Sequence, residues 1–179
     1  MDWPALLAWR MRRQQLAERA PAGEALEVVS RIAGLHAQVM ASADASLRAR
    51  VDGLPEDFLP GALWRDGTLV KTWAMRGTLH LLVRDELPTY VGALSRLRPR
   101  HHQGAWQRAY GVTREQADAM LAAIPKVLAR RPLTRAELAA AVARRTKDPE
   151  LEEKLTEGFG SLLKPAAFAG DLVFAEGDG

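Results

Sequence analysis

Apolar residues recur at helical spacing over most of the chain, with two short extended segments between the helical ones. The segment 22–34 carries them on one face and ends in Gly34, a residue typical of the end of a helix. Residues 55–64 predict a second, shorter helix. From 71 to 83 the composition changes to Thr, Trp, Val and Leu around Arg76-Gly77, which predicts a β-hairpin.

The second part of the chain repeats this order. Residues 85–97 predict a helix, and capping boxes at Thr113 and Thr134 each predict the start of another. A third helix after these boxes is expected to begin at Asp148-Pro149, because Asp is a common N-cap and Pro a common first helical residue. Its apolar face consists of Leu151, Leu155, Phe159 and Leu162. The short run 171–175 is predicted to be extended.

Helices followed by a hairpin are the element order of a winged helix, a helix-turn-helix variant whose hairpin is the wing. We predict a mainly α fold with short β-hairpins (α+β) and tandem winged-helix domains, 1–84 and 113–179, joined by a helical linker, 85–112. Other α+β folds with short helices and a strand are the alternative. Because 171–175 supplies one wing strand and Asp178-Gly179 a turn signal, we expect the second domain to be truncated in its wing. A frayed tail is the other interpretation.

Basic residues are concentrated in the first part of the chain. The whole chain has 25 Lys and Arg against 22 Asp and Glu, a net charge of +3. Residues 1–110 hold 15 basic and 11 acidic side chains, and 111–179 hold 10 and 11. Twenty of the 25 basic residues are arginines. Arginine suits bidentate contacts to phosphate, although a GC-rich genome produces the same bias.

Several classes of site are excluded by composition. The chain has no cysteine, which rules out a disulfide scaffold, a thiol nucleophile and a Cys-ligated metal. The adjacent His101 and His102 cannot both face one metal from a regular element, so we predict no metal site. The longest segment without a charged residue, 32–43, is too short to span a membrane. The N-terminus lacks the basic region of a signal peptide, so we expect a cytoplasmic protein.

His36 and Gln38 are the first candidates for chemistry. They follow the predicted helix end at Gly34, so they should lie in an extended segment and project to the same side. A ring nitrogen can accept the proton of a water molecule while an amide fixes its orientation. The alternative is that His36 packs and bonds a neighbouring carbonyl while Gln38 lies on the surface.

Arginines and the predicted hairpin are the other candidates. Arg12 and Arg13 could contact phosphates near the first helix, or form a solvated face. Arg76 lies at the hairpin turn, where a wing-tip arginine can enter a minor groove, and Thr78 and His80 would share one face of the strand after it. The basic run 96–108 could stack bases through its aromatic residues or serve as a linker. Phosphate-binding loops and a serine nucleophile elbow are absent from the sequence.

Four runs, taken in order, resemble the winged-helix DNA glycosylases of the AlkZ and YcaQ type. They are Trp-Arg-Met-Arg-Arg-Gln-Gln-Leu at 9–16, Gly-Leu-His-Ala-Gln at 34–38, Met-Arg-Gly-Thr-Leu-His at 75–80 and Leu-Lys-Pro-Ala at 163–166. The resemblance covers essentially the whole chain. Each run is weak alone, and the ordered set is fairly specific.

The resemblance implies a monofunctional enzyme that hydrolyses the N-glycosidic bond of alkylated purines in double-stranded DNA, crosslinked DNA included. We expect the protein to be a monomer. Such enzymes use water as the nucleophile and need no metal or cofactor. Their catalytic motif is Gln-x-Gln, or Gln-x-Asp in the YcaQ branch; the second position falls on Gln38 and the first on His36, a departure from the family pattern. Since the cationic base of the lesion leaves readily, a His and a Gln that place a water are plausible.

On this hypothesis Arg12, Arg13, Arg48 and Arg76 hold phosphates, Thr78 and His80 contact the DNA, and the protein associates with the nucleoid. Members of the family are considerably longer and add a further winged helix and a β-barrel, so we expect this chain to be an N-terminal portion. The alternatives are a non-catalytic winged-helix regulator that binds DNA, and an inactive truncated gene product.

Overall fold

The computed structural model describes residues 2–96, 102–157 and 160–177, and the chain divides into two compact units, Met1–Leu87 and Pro88–Gly179. The dividing point lies close to the expected boundary at residue 84. The predicted organisation into two winged-helix domains, 1–84 and 113–179, with a linker between them stays a prediction. Within the described segments, no helix is long and apolar enough to cross a lipid bilayer.

The first unit alternates short helices and short strands. Its helices are α1 (Trp3–Arg13), α2 (Ala25–Arg31), α3 (Met40–Arg48) and α4 (Phe58–Pro60), the last continuing as a π-helical turn, Gly61–Arg65. Its strands are β1 (Ala20–Pro21), β2 (Leu35–His36), β3 (Val51–Asp52), β4 (Leu69–Trp73) and β5 (Leu79–Val83). Short 3₁₀ turns occupy Ala22–Glu24, Met75–Gly77 and Arg84–Glu86.

Three of these strands form an antiparallel sheet in the order β2-β5-β4. The predicted hairpin is confirmed as β4 and β5, which pair from Leu69 opposite Val83 to Trp73 opposite Leu79. β2 pairs with the other edge of β5, and β1 and β3 form a separate parallel pair. Helices followed by this hairpin give the first unit the predicted winged-helix order.

The hydrophobic core of the first unit lies between this sheet and the helices α2 and α3. Its fully buried side chains include Val28, Val29, Leu35, Leu47, Leu69 and Leu81. Burying one such side chain contributes about 1.5–3 kcal/mol relative to leaving it in water. α1 has no buried residue, so it lies outside this core.

The second unit is helical in its described part. Its elements are α5 (Leu87–Leu94), α6 (Gly104–Tyr110), α7 (Arg114–Leu128), α8 (Arg135–Thr146), α9 (Glu150–Thr156), a 3₁₀ turn (Ser161–Leu163) and α10 (Lys164–Ala169). Both predicted capping boxes are present. The Thr113 hydroxyl accepts a bond from the Gln116 N–H at 3.1 Å, and the Thr134 hydroxyl accepts one from the Glu137 N–H at 3.2 Å. Each box fixes where its helix begins.

The helix predicted to begin at Asp148-Pro149, which is α9, is shorter than its apolar pattern predicts. α9 ends at Thr156, and Leu162 lies in the following 3₁₀ turn rather than on the same helix. The left-handed backbone of Gly160, at φ +71°, separates the two segments. Asp148 precedes the helix and accepts a bond from the Glu150 N–H at 3.1 Å. Phe159 lies outside the described residues.

The run 171–175, predicted to be a wing strand, is not assigned to any strand in the described segments. A strand is defined by its ladder of hydrogen bonds to a neighbour, which local apolar composition cannot supply. Leu172 is nevertheless buried, at 8 % exposure. The turn signal Asp178-Gly179 lies outside the described residues, so the expectation of a truncated wing stays a prediction.

Glu137→Gln is expected to remove an interaction that stabilises the folded chain at neutral pH and fades as the pH falls. Bonds from Arg131 and from the Thr134 N–H lower the pKa of Glu137 from 4.5 to about 2. The carboxylate therefore stabilises the folded state fully above pH 4.5, and this contribution is lost progressively as the pH falls towards 2. Urea midpoints of wild type and Glu137→Gln should differ most at neutral pH and converge in acid.

Gln also completes a capping box, so this substitution tests the charge more than the cap. Glu152→Gln, on the exposed side of α9, is the control, since no hydrogen bond or ion pair of that carboxylate is described. A difference in urea midpoint of equal size at every pH would show that the ionised carboxylate of Glu137 is not the source of the stabilisation.

Candidate functional site

His36 and Gln38 lie on one exposed side of the segment that contains β2. Leu35 and Ala37, which alternate with them, are buried at 1 % and 0 % exposure. This alternation is that of an extended segment with one face in the core. The two polar side chains therefore project to the same side, as the spacing predicts.

Main-chain bonds to β5 hold this segment in place. Leu35 pairs with Leu81 and His36 with His80, and the Ala37 N–H donates to the Leu79 carbonyl at 2.8 Å. The chain reaches β2 through Gly34, whose φ of +94° is a conformation that residues with a Cβ rarely adopt. The candidate site is thus built on the sheet rather than on a loose connection.

The Gln38 amide is oriented by the backbone of β5. Its Oε1 atom accepts a bond from the Leu79 N–H at 3.5 Å. Since a backbone N–H can only donate, the amide oxygen must face Leu79. The Nε2 group of Gln38 is then the part of the amide that can donate to a water or a ligand.

His36 contacts a second histidine. The rings of His36 and His80 lie 5.5 Å apart between centroids and at 89° to each other, an edge-to-face arrangement. His80 is buried, at 8 % exposure, and its Nδ1 lies 2.9 Å from the Thr78 carbonyl oxygen. Burial, and then the nearby charges of His36 and Arg76, lower the pKa of His80 against the opposing effect of the Thr78 bond.

The hairpin turn presents Arg76 to solvent. Arg76 is exposed and has a left-handed backbone, with φ +56°, and Gly77 follows with φ +73°. A non-glycine residue in this region costs about 1–2 kcal/mol. The Thr78 hydroxyl donates to the Met75 carbonyl at 3.2 Å, which closes the turn. Arg76, Thr78 and His80, predicted as DNA contacts, thus cluster at one end of the hairpin.

The remaining predicted arginines lie elsewhere in the first unit. Arg12 and Arg13 are exposed on α1, and the Arg13 guanidinium lies 5.8 Å above the Trp9 ring. Arg48 is bonded within the protein, since its Nε donates to Asp44 at 2.7 Å and raises its own pKa in doing so. Its other nitrogens donate to the carbonyls of Leu54, Pro55 and Glu56. These contacts give Arg48 a structural role, and its predicted phosphate contact has no support from them.

The basic run 96–108 falls partly outside the described residues, which omit 97–101 and with them His101. Within the described part, Trp106 and Tyr110 lie 4.9 Å apart between ring centroids on α6. His102 bonds Asp118 at 3.2 Å. Across the described segments, no group of three or more His, Asp or Glu side chains could hold a metal ion.

Two features of the site were not foreseen from the sequence. The contact of His36 with His80 depends on β2 lying beside β5, and a local pattern does not specify strand order. The requirement for Gly34 depends on the same pairing. The one available signal was the presence of two histidines in extended segments, each flanked by apolar residues.

Comparison with known proteins identifies the family to which this chain belongs. The helices and hairpin of the first unit define a winged-helix protein. A family model described as DNA glycosylase AlkZ-like matches residues 29–179, so the chain belongs to the AlkZ-like DNA glycosylase family.

A curated relative, an interstrand DNA cross-link repair glycosylase from Streptomyces sahachiroi, is 37 % identical over 175 residues. That alignment covers 96 % of this chain and 45 % of the relative. The solved structure of Streptomyces sahachiroi DNA glycosylase AlkZ is similar with a TM-score of 0.88 at 34 % identity, covering 99 % of this chain and 47 % of that one. The chain therefore spans about half the length of the relatives that it matches.

Gly34→Ala is expected to destabilise the first unit and to displace β2. A Cβ at this position would lie 2.6 Å from the Leu82 Cδ2 atom and 2.8 Å from the Leu81 carbonyl oxygen. Because one of these atoms belongs to the backbone of β5, the strand must move, and we expect a loss of at least about 1 kcal/mol. Urea denaturation measures the loss.

Gly53→Ala is the matched control, since Gly53 also has a left-handed backbone, at φ +73°, and nothing lies within 4 Å of its added Cβ. Equal midpoints for the two alanine variants would show that Gly34 is not required for the approach of β2 to β5.

Proposed function

We propose that this chain is the part of an AlkZ-like DNA glycosylase that binds duplex DNA and places the hydrolytic water. The observation that carries the proposal is the pair of His36 and Gln38 on one exposed side of a sheet-bound segment. The proposed substrate is DNA with alkylated, cationic purines, including crosslinked DNA. The name of the curated relative, a cross-link repair glycosylase, supports this substrate class.

In the proposed reaction the C1′–N bond of the damaged nucleotide breaks, and its electron pair goes to the cationic base, which leaves neutral. Water oxygen bonds to C1′, and the proton that it loses passes to a ring nitrogen of His36. The Nε2 group of Gln38 donates to the same water and fixes its position. No metal or cofactor takes part in this proposal.

The DNA is proposed to lie across the first unit, with Arg76 at the wing tip and Arg12 and Arg13 on α1 contacting phosphates. The exposure of Arg12, Arg13 and Arg76 to solvent supports this placement, because a phosphate can then reach each side chain. We further propose that the protein acts as a monomer on nucleoid DNA in the cytoplasm. Thr78 and His80 lie beside Arg76, and we propose that they support the turn at the DNA surface.

His36→Ala and Gln38→Ala are each expected to lower the release of base from N7-alkylated duplex DNA by about 100-fold. The reason is the loss of a group that accepts a proton from, or orients, the attacking water. Release is measured by alkali cleavage of the resulting abasic site. His102→Asn and Gln103→Ala are matched controls, since both residues are exposed and lie in the second unit.

Wild-type rates in Gln38→Ala would refute the assignment of the site. DNA binding by the wild-type chain without any base release would instead favour a non-catalytic binding protein. The half-length match favours this second candidate, because about half of each relative lies outside the region that this chain matches.

Arg76→Asn is expected to weaken DNA binding equally for all sequences and to reduce the slope of log K against log salt by about 1. Asn tolerates the left-handed backbone of this position, so the variant removes the charge with little change in the turn. Fluorescence anisotropy at several salt concentrations measures the slope. Arg65→Asn is the control, since Arg65 bonds Asp57 and Asp66; an unchanged slope in Arg76→Asn would exclude the phosphate contact.

A further inference from the structure

His80 is a buried polar side chain on the central strand of the three-stranded sheet. Of the described residues, only Thr72 and His80 are both polar and buried, and the two lie opposite each other on β4 and β5. Burying a polar ring is costly unless its nitrogens are satisfied. A buried histidine at the centre of a small sheet therefore calls for a physical explanation.

The bond between His80 and Thr78 determines which ring nitrogen carries the proton. A carbonyl oxygen only accepts, so the Nδ1 atom 2.9 Å from it must be the donor. The Nε2 atom of the neutral ring then carries the lone pair. The lowered pKa of His80, caused first by burial, agrees with a ring that is uncharged at neutral pH.

This bond also fixes the ring in space. Its acceptor is main chain two residues away, next to β5, so the plane of the His80 ring is held by the strand that carries it. His36 is exposed, and its side chain would otherwise be able to turn about its rotatable bonds. The edge-to-face contact at 5.5 Å gives the His36 ring a rigid surface to rest against.

We propose that His80, as the neutral Nδ1–H tautomer, is a positioning residue that holds the His36 ring in the orientation in which it accepts the proton of the water. The catalytic consequence rests on the proposed function, whereas the tautomer and the ring contact do not. An uncharged His80 also avoids placing a second cation beside His36 when that ring gains its proton. The charge of Arg76 also acts on His80.

Three substitutions of His80 separate the effect of its ring from the effect of its Nδ1–H donor. Phe keeps a ring and loses the Nδ1–H donor, Asn keeps a donor and loses the ring, and Ala loses both. In the full 179-residue chain, long-range ¹H–¹⁵N spectra at neutral pH report the tautomer. The proton shifts of the His36 ring report the ring current of its neighbour. Spectra of His36→Asn, His80→Asn and His102→Asn assign the signals of the four histidines.

We expect the Nδ1–H tautomer for His80 in the wild type. The ring-current shift of His36 should survive in His80→Phe and be lost in His80→Asn and His80→Ala. In His102→Asn, the control, it should be unchanged. An Nε2–H tautomer, or a His36 shift unaffected by all three substitutions, would overturn the proposal. If His80→Ala does not fold, the wild-type tautomer and the Phe and Asn variants still decide.

Base release gives an independent readout. His80→Asn is expected to lose up to about 100-fold, the cost of misplacing a catalytic group by roughly 1 Å, and His80→Phe is expected to recover part of it. If the role of His80 were only structural, its substitution would lower stability, and base release in His80→Phe would not recover relative to His80→Asn. Failure of the proposed function has a different signature, namely unchanged release in both His36→Ala and Gln38→Ala.

Discussion

The pairing of β2 with β5 is the interaction on which the first unit and its candidate site depend. Two residues of β2 suffice, because Leu35 faces the core opposite Leu81 while His36 faces outward opposite His80. A shift of one residue would bury the histidine and expose the leucine. Burial of Leu35 and the proposed chemistry at His36 therefore require the same register.

Because the site depends on this pairing, its geometry depends on Gly34, which precedes β2, and on the turn at Arg76, which precedes β5. Gly34 lets the chain approach β5 closely after α2 has ended, and the left-handed Arg76 closes the hairpin that supplies β5. Backbone strain at an exposed arginine is unfavourable by itself. It persists because the ladder between β4 and β5 and the Thr78 bond to Met75 determine the path of the turn from both sides.

Local signals in the sequence predict the local structure well. The capping boxes at Thr113 and Thr134 and the hairpin around Arg76 all appear where their patterns place them, since each is decided by neighbours in sequence. The predicted extent of the helix after Asp148 was wrong, because the apolar spacing continues to Leu162 whereas α9 ends at Thr156, before the extended backbone of Glu157. The internal bonds of Arg48 could not be foreseen either, because its carbonyl partners come from a loop whose path the sequence pattern does not specify. Its predicted phosphate contact stays a prediction.

The resemblance places His36 at the first position of the catalytic motif, and in the proposed function a histidine there changes the chemistry that the site can support. A glutamine can only orient a water, whereas a neutral imidazole can also accept its proton near neutral pH. For a cationic base the leaving group needs little assistance, so the barrier lies in presenting a water to C1′ and stabilising the developing charge on the sugar. A proton acceptor with limited basicity is adequate for that step if its ring is held still. In the proposed function, orientation therefore matters more than added basicity, and the Leu79 bond to Gln38 and the His80 contact with His36 both come from β5.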